Sequence, residues 1–339
     1  MGKDLDHFKR YGWKVNETNL QTLPETAPKA AQDLAQWLTL EGRRSTLEEW
    51  IGCCSEDDSR IHGKFWHIGA WTHRMAHTNP NQANPPSVFH EEPKTAVEHV
   101  KAKYDGRFRS LLHVPEGSYL VGCDAEGIQL RILAHYMKSD EYVKAIVEGC
   151  KKDETDIHNV NKRALGSVCK DRDTAKTFIY AWLLGAASPK IAEILESTIP
   201  QAKTAENNFL TALPELRRVK KVLVPRDAGR GYFTGLDGRK VPCNSEHLML
   251  SGYLQNGESV VMKKATVQWK KDLKGDMINY KLCDLVHDEW QTQVDGTYEE
   301  AEHVGKVQAE SLRKVGEELG VYCPLAGSYD IGKSWLDTH

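Results

Sequence analysis

Two short apolar runs, far apart in the chain, each end on acidic side chains. Tyr119-Leu120-Val121-Gly122-Cys123 closes on Asp124, and the run from Ile278 to Leu285 closes on Val286-His287-Asp288-Glu289. Apolar runs of this length followed by carboxylates are the pattern of buried β-strands that carry charge to the edge of a sheet. A lone Asp in such a place equally suits a turn or a helix cap. Two of them, with Glu289 behind the second, admit another reading: one site shared by two divalent cations, which stabilise the attacking and leaving oxygens of an in-line phosphoryl displacement.

What lies between the two runs bears on that choice. Ile128 to Tyr136 has the pattern of a helix that follows Asp124 directly, and Asp156-Ile157-His158 opens another. Asp171 suits the cap of a further helix running through Arg172, Lys176, Tyr180 and Leu184 to Gly185, with Pro189 beyond. Arg172, Lys176 and Tyr180 recur every fourth residue, so a helix lines them along one face. Two cations followed by an aromatic ring suit a triphosphate followed by a sugar and base; a mixed solvent-facing stripe fits the same spacing. Gly235-Leu236-Asp237-Gly238-Arg239-Lys240 signals a hairpin between short strands. His247 to Trp269 predicts a long helix containing Gln255, Gln291 to Val294 a hairpin partner for the Ile278–Leu285 strand, and Tyr298 to Leu319 a last helix. At the other end, residues 1 to about 60 predict a polar helical hairpin interrupted by Pro24 and Pro28. Residues 60 to 86, rich in His, Asn, Gly and Pro, predict loop around Arg74.

At 339 residues the chain is long enough for two or three subdomains and a substantial core. Its 40% hydrophobic and 27% charged residues are ordinary for a soluble protein, and no run approaches a membrane span, so no membrane partner is expected. The N-terminus lacks the apolar core of a signal peptide, and the eight cysteines have no metal-ligand spacing; the expected compartment is the cytoplasm, with reduced thiols. The net charge of −3 hides an uneven distribution: residues 217 to 240 carry Arg217, Arg218, Lys220, Lys221, Arg226, Arg230, Arg239 and Lys240, while acid concentrates between Asp284 and Glu318. Such a basic run is either a solvated face or a surface for nucleic-acid phosphate.

Taken together the motifs resemble the polymerase portion of the family A DNA polymerases, the DNA polymerase I type, and most of all the replicative polymerases of podophages. Asp124-Ala125-Glu126-Gly127-Ile128-Gln129-Leu130-Arg131 resembles the family's first acidic motif, Arg172-Asp173-Thr174-Ala175-Lys176-Thr177-Phe178-Ile179-Tyr180 its fingers-helix motif, and Val286-His287-Asp288-Glu289 its last. Arg74 with Pro80-Asn81, Asp156-Ile157-His158, the Gly235 to Val241 hairpin, Gln255 and Gly332-Lys333-Ser334-Trp335 follow in family order, from about residue 8 to the end. The resemblance implies an α+β fold: a palm made of an antiparallel sheet backed by helices, with helical fingers inserted and a remnant of the thumb. It divides the chain into thumb remnant (1–60), first part of the palm (61–137), fingers (138–250) and second part of the palm (251–339).

The same resemblance assigns roles. Asp124 and Asp288 would hold two Mg²⁺ ions, with Glu289 a supporting carboxylate and Lys176 acting on the departing pyrophosphate. His158, Arg172 and Lys176 would contact the triphosphate of an incoming dNTP, and Tyr180 its sugar. Arg74 and Gln255 would reach the minor groove of primer-template DNA near the primer end, and His287 the primer terminus. The implied reaction adds deoxynucleotides to a primer 3′-hydroxyl.

Two features depart from the family pattern. Gln129 stands where Glu is usual as a gate against the ribose 2′-hydroxyl, and Leu184 where a Tyr would hydrogen-bond to it; the expectation is a steric but looser gate. Ala181 also replaces a usual Gly. Further, Met1 falls inside what would be the thumb, so the chain is expected to be either a minimal polymerase without proofreading or one half of a split polymerase whose exonuclease and thumb are a separate polypeptide. A catalytically silent DNA-binding scaffold subunit and a metal-dependent nuclease are the competing readings.

Overall fold

The computed structural model describes residues 10, 12, 15–20, 23, 26–90 and 92–339. Pro24 and most of the first fifteen residues lie outside that set. After one turn, α1 (Glu17–Leu20), comes a single long helix, α2 (Lys29–Cys53), where the sequence predicts a helical hairpin. Its Trp50 is buried edge-on against Phe108 of α3 (Ala96–Leu111), ring centroids 5.7 Å apart. α2 is thus anchored through its own second half. The stretch between them is not all loop. Lys64–Trp66 (β1) and Ala76–Thr78 (β2) pair antiparallel, with Phe65 opposite His77. Strands of three residues are too short to leave a periodic signal, which is why composition hides them.

The centre is a four-stranded, wholly antiparallel sheet in the order β6-β7-β3-β8. It is built from β3 (Ser118–Ala125), β6 (Tyr280–Val286), β7 (Glu289–Asp295) and β8 (Gly327–Gly332). Along β7 the side chains alternate, as a strand requires. Trp290 and Val294 join the main core, which also holds Val121 and Cys123 of β3, Trp269 and Leu312. Glu289, Gln291 and Gln293 face the other way, yet all three are buried. Buried polar groups need partners, and they have them: Trp335 and His339 for Glu289, Thr338 for Gln291, Arg60 for Gln293. Those partners come mainly from a closing 3₁₀ turn, Trp335–Thr338, that folds back over the sheet. Gly122 permits this, because a Cβ there would collide with the Thr338 carbonyl.

Between β3 and β6 the chain is mostly helical: α4 (Ile128–Met137), α5 (Asp140–Val147), α6 (Ile157–Leu165), α7 (Arg172–Leu183), α8 (Ser188–Ile194), α9 (Ile199–Ala212), α10 (Pro214–Arg218) and α11 (Val224–Arg230). A π-helical turn, Val219–Leu223, joins the last two. The hairpin β4–β5 (Tyr232–Thr234, Lys240–Pro242) follows, then the long α12 (Glu246–Asp272); α13 (Tyr298–Glu318) comes after β7. The architecture is α+β, an antiparallel sheet backed by α12 and α13 with a helical insertion. Among the described residues no helix is long and apolar enough to cross a membrane.

Candidate active site

Asp124 is the next-to-last residue of β3, and Asp288 lies in the two-residue turn between β6 and β7. The strands are neighbours: Asp124 pairs with Glu289, and the Ala125 N–H donates to the Asp288 carbonyl at 2.9 Å. The sheet has therefore joined two chain segments that the helical insertion separates. Neither Asp is a helix cap, for the N-cap of α4 is Gly127, which has left-handed backbone and no capping side chain. His287, also in the turn, has φ 56°. A non-glycine residue there carries roughly 1–2 kcal/mol of steric strain, a feature that clusters at functional sites.

The electrostatics follow from the crowding of like charge. Asp124 keeps solvent contact at the sheet edge. Its carboxyl is nevertheless pushed up to about 7, first by the protein surrounding it and then by Asp288, Glu289, Glu126 and Glu258. Asp288 is pushed up to about 6, by burial first and the Glu258 charge next. Glu289 is raised by burial, although hydrogen bonds from Gln291 and Trp335 pull it back. Two oxygen-bearing anions that repel each other, one of them open to solvent, are a suitable donor set for a hard divalent cation, which binds through one or two carboxylates and completes its shell with water and phosphate oxygens. Among the described residues no three His, Cys, Asp or Glu side chains converge as a metal site.

The Arg172-Lys176-Tyr180 face is real. Asp171 caps α7 by accepting from the Thr174 N–H at 2.7 Å, and the three side chains stand at or near the surface. Burial raises the pKa of the Tyr180 hydroxyl, and the charges of Asp288 and Asp124 raise it further, which keeps the phenol protonated. Lys176 is exposed. Arg172 is engaged, donating to Oδ2 of Asp156 from Nε (2.9 Å) and Nη2 (2.7 Å). His158 stands 6.2 Å from the Tyr180 ring, and its pKa is lowered by burial and by Arg172. A neutral imidazole with a buried, unpartnered Nδ1 results.

Arg74 donates from Nη2 to Glu258 at 2.6 Å. His287 is held neutral by burial and by Arg74. Gln255 is partly exposed on α12. Gln129 and Leu184 are not partners: Leu184 is half exposed at the end of α7, whereas the Gln129 Nε2 donates to Glu258 at 3.0 Å. Glu258 is the member sequence reasoning missed. It lies in a segment of α12 that is buried almost all round, where nothing local distinguishes a functional acid. Much of the basic run is also occupied. Arg226 and Arg230 share Asp227, Arg239 pairs with Asp237, Arg218 donates to the carbonyls of Tyr136 and Met137, and Lys220 lies over the Trp182 ring.

In its fold this chain is similar to a polymerase domain. It superposes on the POL domain of Pol1 from M. smegmatis, solved in complex with DNA primer-template and dNTP, with a TM-score of 0.79 over 97% of this chain and 57% of that one, at 21% identity. The chain belongs to DNA polymerase family A, whose model matches residues 3–337. It is 31% identical to the DNA-directed DNA polymerase of Enterobacteria phage T3 over 92% of this chain and 46% of that protein. The corresponding enzyme of Escherichia phage T7 is 30% identical with the same coverage, and DNA polymerase I of Chloroflexus aurantiacus is 23% identical over 98% of this chain and 35% of that protein. The chain thus spans about half the length of the phage relatives it matches.

Proposed function

We propose that this chain is the catalytic part of a DNA-directed DNA polymerase, adding deoxynucleotides to a primer 3′-hydroxyl in template order. One observation carries the reading: Asp124 and Asp288, joined by neighbouring strands, both act with their charges on the hydroxyl of Tyr180, at one end of the Arg172-Lys176-Tyr180 helix. Carboxylates alone would suit a nuclease. A cationic helix beside them gives a triphosphate its own place.

In this reading Asp124 and Asp288 hold two Mg²⁺ ions, which when bound make the primer hydroxyl a better nucleophile and offset charge on the triphosphate. The chain's own groups do the rest. Arg172 exchanges Asp156 for phosphate oxygens, Lys176 meets the leaving pyrophosphate, and neutral His158 offers a hydrogen bond to a phosphate oxygen. Tyr180, a protonated phenol with its ring half-buried, packs on the sugar beside Gln129. Arg74, Gln255 and His287 lie on the primer side. Glu289 supports the turn through Trp335 without touching substrate. Residues 1–60, 61–137, 138–250 and 251–339 then act as thumb remnant, palm, fingers and palm.

Primer extension with Mg²⁺ tests the activity. Growth of a labelled primer supports the polymerase; shortening supports a nuclease, and a gel shift without extension a silent scaffold.

A further inference from the structure

Glu258 is fully buried, yet neither the motifs nor the proposed chemistry gives it a task. It follows Gly257, whose missing side chain lets α12 approach α4: a Cβ at that position would lie 2.9 Å from Ile132 Cγ2. This close crossing brings Glu258 to Gln129, which lies in the first turn of α4. A single oxygen, Glu258 Oε2, accepts from both Gln129 Nε2 (3.0 Å) and Arg74 Nη2 (2.6 Å). Glu258 Oε1, Gln129 Oε1 and Arg74 Nε are buried without a hydrogen-bond partner.

The chemistry of this bridge is restrictive. A carboxylate paired with an arginine can only accept, so Gln129 must turn its NH₂ inward, which fixes its carbonyl oxygen as the group left over. A second carboxylate at position 129 would meet Glu258 at hydrogen-bond distance, with one guanidinium to serve both and with Asp124 and Asp288 nearby. The partner that orients residue 129 thus comes from α12, not from the end of α7.

We propose that Glu258 is a positioning residue that dictates what position 129 offers to the sugar of an incoming nucleotide, and that the pair accepts one carboxylate and one amide but not two carboxylates. The proposal rests on the reading of Gln129 as a nucleotide contact. Exchanging the two groups, Q129E/E258Q, keeps one carboxylate and one amide: with its NH₂ at the position of Oε2, a Gln at 258 donates to the new carboxylate, while Arg74 shifts to its carbonyl oxygen at the position of the unpartnered Oε1.

The test is a cycle of the full chain, Q129E, E258Q and the double exchange, read by melting temperature at pH 8 and by kcat and KM for dNTP and rNTP addition. Q129E should melt at least about 3 °C lower and raise the dNTP KM about tenfold or more, and the double exchange should recover most of both. Glu258→Ala, with residue 129 intact, should change the ratio of rNTP to dNTP incorporation. A Q129E protein that behaves as wild type, a double exchange no better than the two single changes combined, or an unchanged sugar ratio in Glu258→Ala overturns the proposal. If wild type extends no primer, the functional reading falls separately, and the melting cycle still decides whether positions 129 and 258 are coupled.

Discussion

Glu289 lies directly across the sheet from Asp124, yet the two carboxylates serve different neighbours. Glu289 Oε1 accepts from Trp335 Nε1 at 2.9 Å and from Gln291, and Oε2 meets His339 Nδ1 at 3.1 Å, while Asp124 is open to solvent. Proximity to the site is therefore not membership of it. Glu289→Ala strips the Trp335 indole of its acceptor and should cost about 1–3 kcal/mol of stability, the range for a buried polar group left unpaired. Nucleotide addition should fall less than about tenfold at a temperature where the variant is folded, a barrier change of under about 1.4 kcal/mol. Asp124→Ala should show the reverse, near-native melting with no extension. Thermal melts alongside primer extension separate the two roles.

Arg172 is held by Asp156 through two hydrogen bonds to one oxygen. A triphosphate has to compete with that oxygen. Asp156→Asn should therefore lower the nucleotide KM, because a neutral amide competes less well for the guanidinium, and Arg172→Ala should raise it about tenfold or more, the scale of a charge-assisted hydrogen bond. Steady-state kinetics on a primed template reads both. An unchanged KM in Asp156→Asn would mean that the pair is not broken when nucleotide binds.

Asp284 and His77 give the fold a pH dependence of their own, apart from that of Asp124 and Asp288. They approach at 3.6 Å, but both His77 nitrogens lack hydrogen-bond partners. Burial lowers the His77 pKa and pushes Asp284 up to about 7, so near neutrality this is not an ion pair. The sign follows from proton binding: with its folded pKa above the ordinary 3.8, Asp284 holds a proton that the unfolded chain has released. Its contribution is complete at low pH and is lost as pH rises from about 4 to about 7. Asp284→Asn should flatten that decline, so melting temperature against pH should diverge from wild type between about pH 4 and about pH 7 and stay apart above it.

Asp124 and Asp288 behave in the same sense, with carboxyls raised to about 7 and about 6. Their mutual repulsion is greatest once both are ionised, and it is then that a divalent cation relieves it. Mg²⁺ should raise the melting temperature more at pH 8 than at pH 5, where the site is protonated. Binding at a hundredfold excess over Kd stabilises by about 2.7 kcal/mol. Asp288→Asn should abolish the increment at pH 8.

The chain's chemistry was more legible than its connections. Asp124, Asp288 and the Arg172-Lys176-Tyr180 face could be read because a strand end and a four-residue repeat leave local signals. β8 left none: Gly327-Ser328-Tyr329-Asp330-Ile331-Gly332 is a polar edge strand without clean alternation, recognisable only once β3 is beside it. The basic run from 217 to 240 looked like free charge, because sequence does not reveal that Asp227 and Asp237 fold back onto its arginines. Glu258 is the sharpest case. Its partners lie 184 and 129 residues away in the chain, and the contact depends on two helices crossing at a glycine. Gln129 read in isolation was a gate that had lost its charge; in the fold it is half of a pair whose carboxylate sits on α12.

The proposed chemistry needs Asp124 and Asp288 together for templated nucleotide addition. Single-nucleotide incorporation opposite each of the four template bases with Mg²⁺, for the full chain and for Asp288→Ala at matched folded fraction, tests this. Wild type should add the complementary dNTP, Asp288→Ala none, and neither should add any without divalent cation. Undiminished addition by Asp288→Ala, or addition indifferent to the template base, would contradict it.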